Sequence, residues 1–296
     1  MTAYRVYSKE EWTSAVKALE SHYQVFVPVK DGDFHLFGLL SEGKRPDFDF
    51  QNTHLSPKSI VYPQSERMFE YSLDGEDPDA HMLKEAPKDF SPRAIVGIRP
   101  CDALAFQRVR VNFDTPRYRD PWWVSRFEST TFVGLGCNAP EATCFCTSVG
   151  GGPFSEAGLD VLLYDLGDRF LAKVLTSKGD GLLKKALGGM EADGTLVRQA
   201  ESLALKVTEA MPAVVPVDGL KDKSVLELFE APFWEDVAFG CINCGTCTYL
   251  CPTCWCFDIQ DEVLGKSGDR IRNWDSCMFP LFTLHGSGHN PRGGKV

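Results

Sequence analysis

The chain has 296 residues, 43% of them hydrophobic, and a formal net charge of −10. That length suits one large or two ordinary domains, and the apolar content excludes a disordered or fibrous chain. The acidity argues against nucleic acid or an anionic membrane as the main partner, while a basic protein surface stays open.

The first residues, MTAYRVYSKEEW, have neither a basic n-region nor an apolar h-region, so no secretory signal is read there. Nowhere do about 18 apolar residues run together, so no membrane-spanning helix is expected. Eleven cysteines without an export signal point to a reducing cytoplasm, and there to metal ligation or redox chemistry rather than a disulfide framework.

Ser8-Lys9-Glu10-Glu11 fits a capping box, and Trp12, Val16 and Leu19 follow at helical spacing. YQVFVPV and FHLFGLL read as a β-hairpin turning at Lys30–Asp33, and residues 41–59 read as a loop. In RPCDALAFQRV, the apolar run Ala94–Ile98 leads into Pro100, and Asp102 is expected to N-cap a helix through Val109. TTFVGLGC is a second buried strand, so strand, helix and strand suggest a βαβ unit. LDVLLYDLGDRFLAKVL reads as a hairpin turning at Gly167-Asp168. Residues 178 to 238 read as helical, broken at MPAVVPVDG. The expected fold class is therefore an α/β (or α+β) N-terminal body, residues 1–238, followed by a small ferredoxin-like iron–sulfur module, residues 239–296.

That module is read from its thiols. Cys241, Cys244, Cys247 and Cys251-Pro252 match the run C-x2-C-x2-C-x3-C-P of bacterial ferredoxins. Two residues between ligands let a tight loop wrap three corners of a cubane, with backbone N–H groups turned toward sulfur. Gly245 leaves the wrap unhindered, and Pro252 redirects the chain after the last ligand. One [4Fe–4S] cluster is expected there. The alternative is a structural zinc site, which more often pairs two separated C-x2-C knuckles. In two-cluster ferredoxins the fourth cysteine of a run ligates the other cluster, and no second run occurs before Val296. Either Cys251 closes a single cluster, or a later cysteine does, or the chain is shorter than its natural form.

RPCDALAFQRV, CFCTS, GGGPFSEAGLDVLLYDLG, CPTCWCFD and WDSCMFPLFTLHGSGHNPR together resemble the iron–sulfur β subunit of cytosolic sulfhydrogenases. They equally resemble the corresponding iron–sulfur component of anaerobic sulfite reductases. The resemblance runs from about residue 93 to the C-terminus, and residues 1–92 match only in general character. Relatives continue past GHNPR with a basic helical stretch and a second ferredoxin run. The stop at GGKV therefore implies a shortened chain with an incomplete second cluster. The resemblance also implies electron relay, from a flavoprotein diaphorase subunit on one side to the catalytic subunit of a hydrogenase or sulfite reductase on the other. It implies no catalytic residues in this chain. The residues by themselves agree, since clusters without an obvious acid–base pair look like wiring.

Five further groups complete the reading. Cys101 and Cys137 each follow the carboxyl end of an expected strand; in one parallel sheet both would lie on the edge where α/β folds place ligands. Cys144 and Cys146 lie a few residues on, so these four are expected to hold a second cluster, against ordinary buried cysteines, zinc or a reactive pair. The helix dipole beside Cys101 is expected to favour its thiolate. Cys254 and Cys256 are expected to share one direction and, with Cys277, either to complete the C-terminal cluster or to pack on it. His285 and His289 read as loop histidines, the glycines of SVGGGPF as turn glycines near Cys146, and Trp122-Trp123 and Phe233-Trp234 as core aromatics or exposed anchors. The alternatives to an electron-transfer role are a sulfur-substrate (disulfide or polysulfide) reductase using its own cysteines and a cluster-bearing sensor module.

Overall fold

The computed structural model of the protein describes residues 3–212 and 215–292. In chain order come Tyr4–Ser8 (β1), Lys9–Ala18 (α1), Gln24–Asp31 (β2), Phe34–Leu39 (β3), Lys58–Val61 (α2), Ser65–Ser72 (β4) and Lys84–Glu85 (β5). Next are Arg93–Ile98 (β6), Pro100–Arg110 (α3), Pro121–Ser129 (α4), Thr130–Leu135 (β7), Val161–Asp165 (β8) and Arg169–Val174 (β9). Ser177–Lys185 (α5), Met190–Glu191 (β10), Gly194–Glu209 (α6), Val225–Phe229 (α7) and Phe233–Phe239 (α8) follow. Thr246–Leu250 (α9), Phe257–Leu264 (β11) and Ser267–Trp274 (β12) end the series. The break expected at MPAVVPVDG includes Ala213 and Val214, and the stop at GGKV comprises residues 293–296. Both expectations fall on residues outside the described ones, as do Met1 and Thr2 of the N-terminal reading.

Contacts divide the chain into two units. One comprises Met1–Val61 with Phe90–Pro216, and the other Tyr62–Asp89 with Val217–Val296. Residues 62–89 and 217–238, expected from the sequence to be part of the body, thus fall with the cysteine-rich segment. For residues 62–89 the reason is strand pairing: β4 lies antiparallel against β12, and β5 against β4.

The first unit is built on an eight-stranded sheet in the order β10-β1-β9-β8-β7-β6-β2-β3. β2, β6, β7 and β8 run parallel at its centre, flanked by antiparallel pairs. Every residue of β6 and β7 is buried, as strands covered on both faces must be, which explains the apolar runs Ala94–Ile98 and Phe132–Leu135 within them. The β6–α3–α4–β7 segment is the expected βαβ unit, and both expected hairpins are present. Helix α1 starts at its capping box: Ser8 Oγ accepts from the Glu11 amide at 3.1 Å while the Ser8 amide donates to Glu11 Oε2 at 2.7 Å. Trp12, Val16 and Leu19 then enter the core beside Val133, Leu163 and Phe170. Trp122 and Trp123 are also buried, Trp123 stacking between Phe113 and Phe127.

Helix α3 corrects one expectation. Asp102 is not its N-cap: the cap is Arg99, Pro100 occupies the first turn, and Asp102 lies buried inside that turn. Proline's fixed φ suits the first helical position, so the helix begins earlier than a capping aspartate at 102 would allow.

The second unit has a four-stranded antiparallel sheet in the order β11-β12-β4-β5. Arg272 of β12 stands opposite Glu66 of β4 and is ion-paired to it at 2.5 Å, with both side chains almost fully buried. The Tyr62 and Phe257 rings lie within 5.5 Å of that guanidinium. The unit leaves apolar residues exposed, Phe233 and Trp234 of α8 among them. No helix among the described residues is long and apolar enough to cross a membrane.

Candidate metal centres

All eleven cysteines are free thiols. The run begins where α8 ends at Gly240. Asn243 and Gly245 both take left-handed backbone, and these two reversals curl the chain between ligands. A side chain at Gly245 is excluded twice, by its φ of +71° and by the Phe279 ring 2.7 Å from where a Cβ would stand. Thr248 Oγ1 of α9 donates to the Gly245 carbonyl at 2.7 Å and lies 2.9 Å from Ser276 Oγ, fixing the loop to the segment after β12.

Within the loop the sulfurs collect donors. The Asn243 amide donates to Cys241 Sγ at 3.3 Å. The hydroxyl and amide of Thr246 hydrogen-bond Cys244, and hold its thiol below its ordinary pKa. Burial pushes the Cys251 thiol up, but the Thr253 hydroxyl at 3.0 Å, the Thr253 amide and Cys254 outweigh it, and the net shift is downward. Three of the four sulfurs thus bond to the residue two positions on, the arrangement by which backbone N–H groups support and tune cluster thiolates. Cys244 and Cys251, both biased toward thiolate, share with Cys241 and Cys247 a loop that leaves the sulfurs at or near the surface, which suits iron coordination.

Cys254 and Cys256 meet different thiols: Cys254 hydrogen-bonds Cys251, and Cys256 hydrogen-bonds Cys277. The turn after Pro252 explains it, because strand alternation starts only at Phe257. His285 and His289 close a turn, the His285 amide donating to the His289 carbonyl at 2.8 Å.

In the first unit, the parallel pairing of β6 with β7 delivers Cys101 and Cys137 to the same carboxyl edge. Cys146 lies within electrostatic reach of Cys101, Cys137 and Cys144, and Cys137 within reach of Cys101 and Cys144. Cys101 is exposed by area, yet the protein crowding it desolvates the thiolate, and with repulsion from Asp102 and Cys146 pushes the pKa to about 12. The helix dipole expected to favour a thiolate there is overridden by this desolvation. Burial raises Cys137 and Cys146 as well.

Several residues absent from the sequence reading hold this edge together. Arg99 is buried and donates to the carbonyls of Gln51 at 2.9 Å, Leu135 at 3.2 Å and Gly136 at 2.8 Å, and also to that of Phe50, whose ring it covers. The Gln51 side-chain amide reaches Cys137 Sγ at 3.9 Å. No local pattern announces such an arginine, since its partners are carbonyls brought in from distant segments. Among the described residues, no three of Cys, His, Asp or Glu gather as the ligands of a single metal ion.

Comparison with known proteins agrees with the C-terminal assignment. No solved structure matches the chain. Sulfhydrogenase 2 subunit beta of Pyrococcus furiosus is 28% identical over 274 residues, which are 91% of this chain and 78% of that protein. The sulfhydrogenase side of the resemblance drawn from the motifs is thereby borne out over nearly the whole chain, including most of the first 92 residues, where no single motif carries it. Residues 240–296 match the 4Fe-4S dicluster domain, and the chain is accordingly an iron–sulfur protein with a mixed α/β body and [4Fe–4S] ligation at its C-terminus.

Proposed function

We propose that this chain is the electron-relay subunit of a cytoplasmic oxidoreductase complex, passing electrons between a flavoprotein diaphorase and the catalytic subunit of a hydrogenase or sulfite reductase. The observation that carries the reading is the Cys241–Cys251 loop, whose sulfurs sit at or near the surface, three of the four hydrogen-bonded to the residue two positions on. A bound [4Fe–4S] cluster supplies one-electron transfer at a potential set by its protein surroundings. The chain supplies the four thiolates, the donors that stabilise their charge, and a glycine-hinged loop near solvent. Similarity to a sulfhydrogenase β subunit supports the assembly into a complex with a catalytic partner.

The test is anaerobic purification with iron and sulfide quantitation and EPR of the reduced protein. Brown protein whose reduced-cluster signal changes on Cys244→Ser is expected. Reduction by NAD(P)H should require an added flavoprotein. Colourless protein carrying stoichiometric zinc overturns the assignment, and direct turnover of a sulfur substrate by the isolated chain overturns the relay role.

A further inference from the structure

We infer that Cys101, Cys137, Cys144 and Cys146 hold a second [4Fe–4S] cluster at the carboxyl edge of the parallel β6–β7 pair. The inference stands on the first unit alone and does not depend on the Cys241–Cys251 loop.

The parallel β6–β7 pairing sets Cys101 and Cys137 on one edge, and Cys144 Sγ accepts the Glu141 amide at 3.3 Å. Cysteines serving as small core hydrophobes are buried. These four are exposed or half-buried instead.

The three segments that carry the thiols are also fitted to each other too closely for a casual loop. Arg99 ties the start of α3 to the end of β7 through the Leu135 and Gly136 carbonyls. The Cys137 amide donates to the Pro153 carbonyl at 3.0 Å, and the Gly151 amide to the Cys146 carbonyl at 2.9 Å. A Cβ on Gly151 would stand 2.9 Å from Leu104 of α3 and 3.2 Å from the Cys146 carbonyl, so this glycine lets the CFC loop settle on the helix. Arg108 of α3 caps that loop at the Val149 carbonyl.

The test uses the full chain, reconstituted anaerobically with iron and sulfide. About eight irons per chain are expected, falling to about four in Cys101→Ser and in Cys146→Ser, with the C-terminal cluster's EPR signal retained. The reciprocal Cys241→Ser/Cys244→Ser variant should keep about four irons and a distinct signal, which reads the first unit even where a Cys101 or Cys146 variant folds poorly. An iron-free reciprocal variant, or zinc bound there in place of iron and sulfide, overturns the inference. Loss of the C-terminal signal alone would strike at the Cys241–Cys251 assignment and leave this one standing.

Discussion

Arg99 Nη1 donates to the Gly136 carbonyl at 2.8 Å, so the residue two before Cys101 grips the residue one before Cys137. The same side chain serves three other carbonyls. Arg99→Met strands these acceptors, and a loss of about 3 kcal/mol in unfolding free energy is expected, read as a lower urea midpoint. Arg99→Lys should recover little of it, because an ammonium cannot span four acceptors laid out for a planar fork. A midpoint unchanged in Arg99→Met would mean that water replaces the guanidinium freely.

Gly136 also carries a steric prediction. A Cβ there would stand 2.2 Å from Phe154 Cε1 and 3.2 Å from the Leu163 carbonyl, and Phe154 is held by stacking on Tyr164 at 5.2 Å. Gly136→Ala should cost about 1–3 kcal/mol by overpacking, measured as a fall in Tm. Gly152→Ala, with open space around the added methyl, is the control and should leave Tm unchanged.

In the second unit the buried Arg272–Glu66 pair joins β12 to β4. Arg272→Met removes the guanidinium from a buried carboxylate and should cost about 3–5 kcal/mol. Adding Glu66→Leu should restore most of the loss, since an apolar pair of similar volume avoids the desolvation of both charges. Chemical denaturation of the two variants checks this, and equal losses in single and double variants would show that the pair's ring contacts matter more than its charge.

Asp114 gives a pH dependence. Hydrogen bonds from Arg110, then from Arg119, hold its carboxyl below the ordinary 3.8. A depressed carboxylate contributes stability above its unfolded pKa and loses it as pH falls through the folded one. The stability gap between wild type and Asp114→Asn should therefore be present at neutral pH and close below about pH 4. A gap that persists in stronger acid would assign the effect to packing. The pair network is exposed, so added salt should narrow the gap too.

What is legible in the sequence is local. The ferredoxin run fixes its meaning by spacing between Cys241 and Cys251, and the hairpins at Gly32 and Gly167 announce themselves by a glycine between apolar runs. The βαβ unit follows from two uninterrupted buried strands. What escapes is long-range. β4, β11 and β12 mix charged with apolar residues because much of their surface is open, so no two-residue alternation marks them. β11 and β12 pair locally across the turn at Gly265-Lys266, and β4 joins them only by pairing over some two hundred residues of chain. Arg99 and Gln51 escape likewise, and the ionisation of Cys101 runs against its helix dipole because desolvation depends on neighbours the sequence does not place.

The pairing of β4 with β12 orders the birth of the molecule on the ribosome. Ser65–Ser72 emerges early and stays without its partner strand until Ser267–Trp274 has been synthesised, about 10–40 s later at ordinary translation speed. During that interval the body can close around its own sheet. The sheet of the second unit is therefore the last to be completed, after every strand of the first unit has been made.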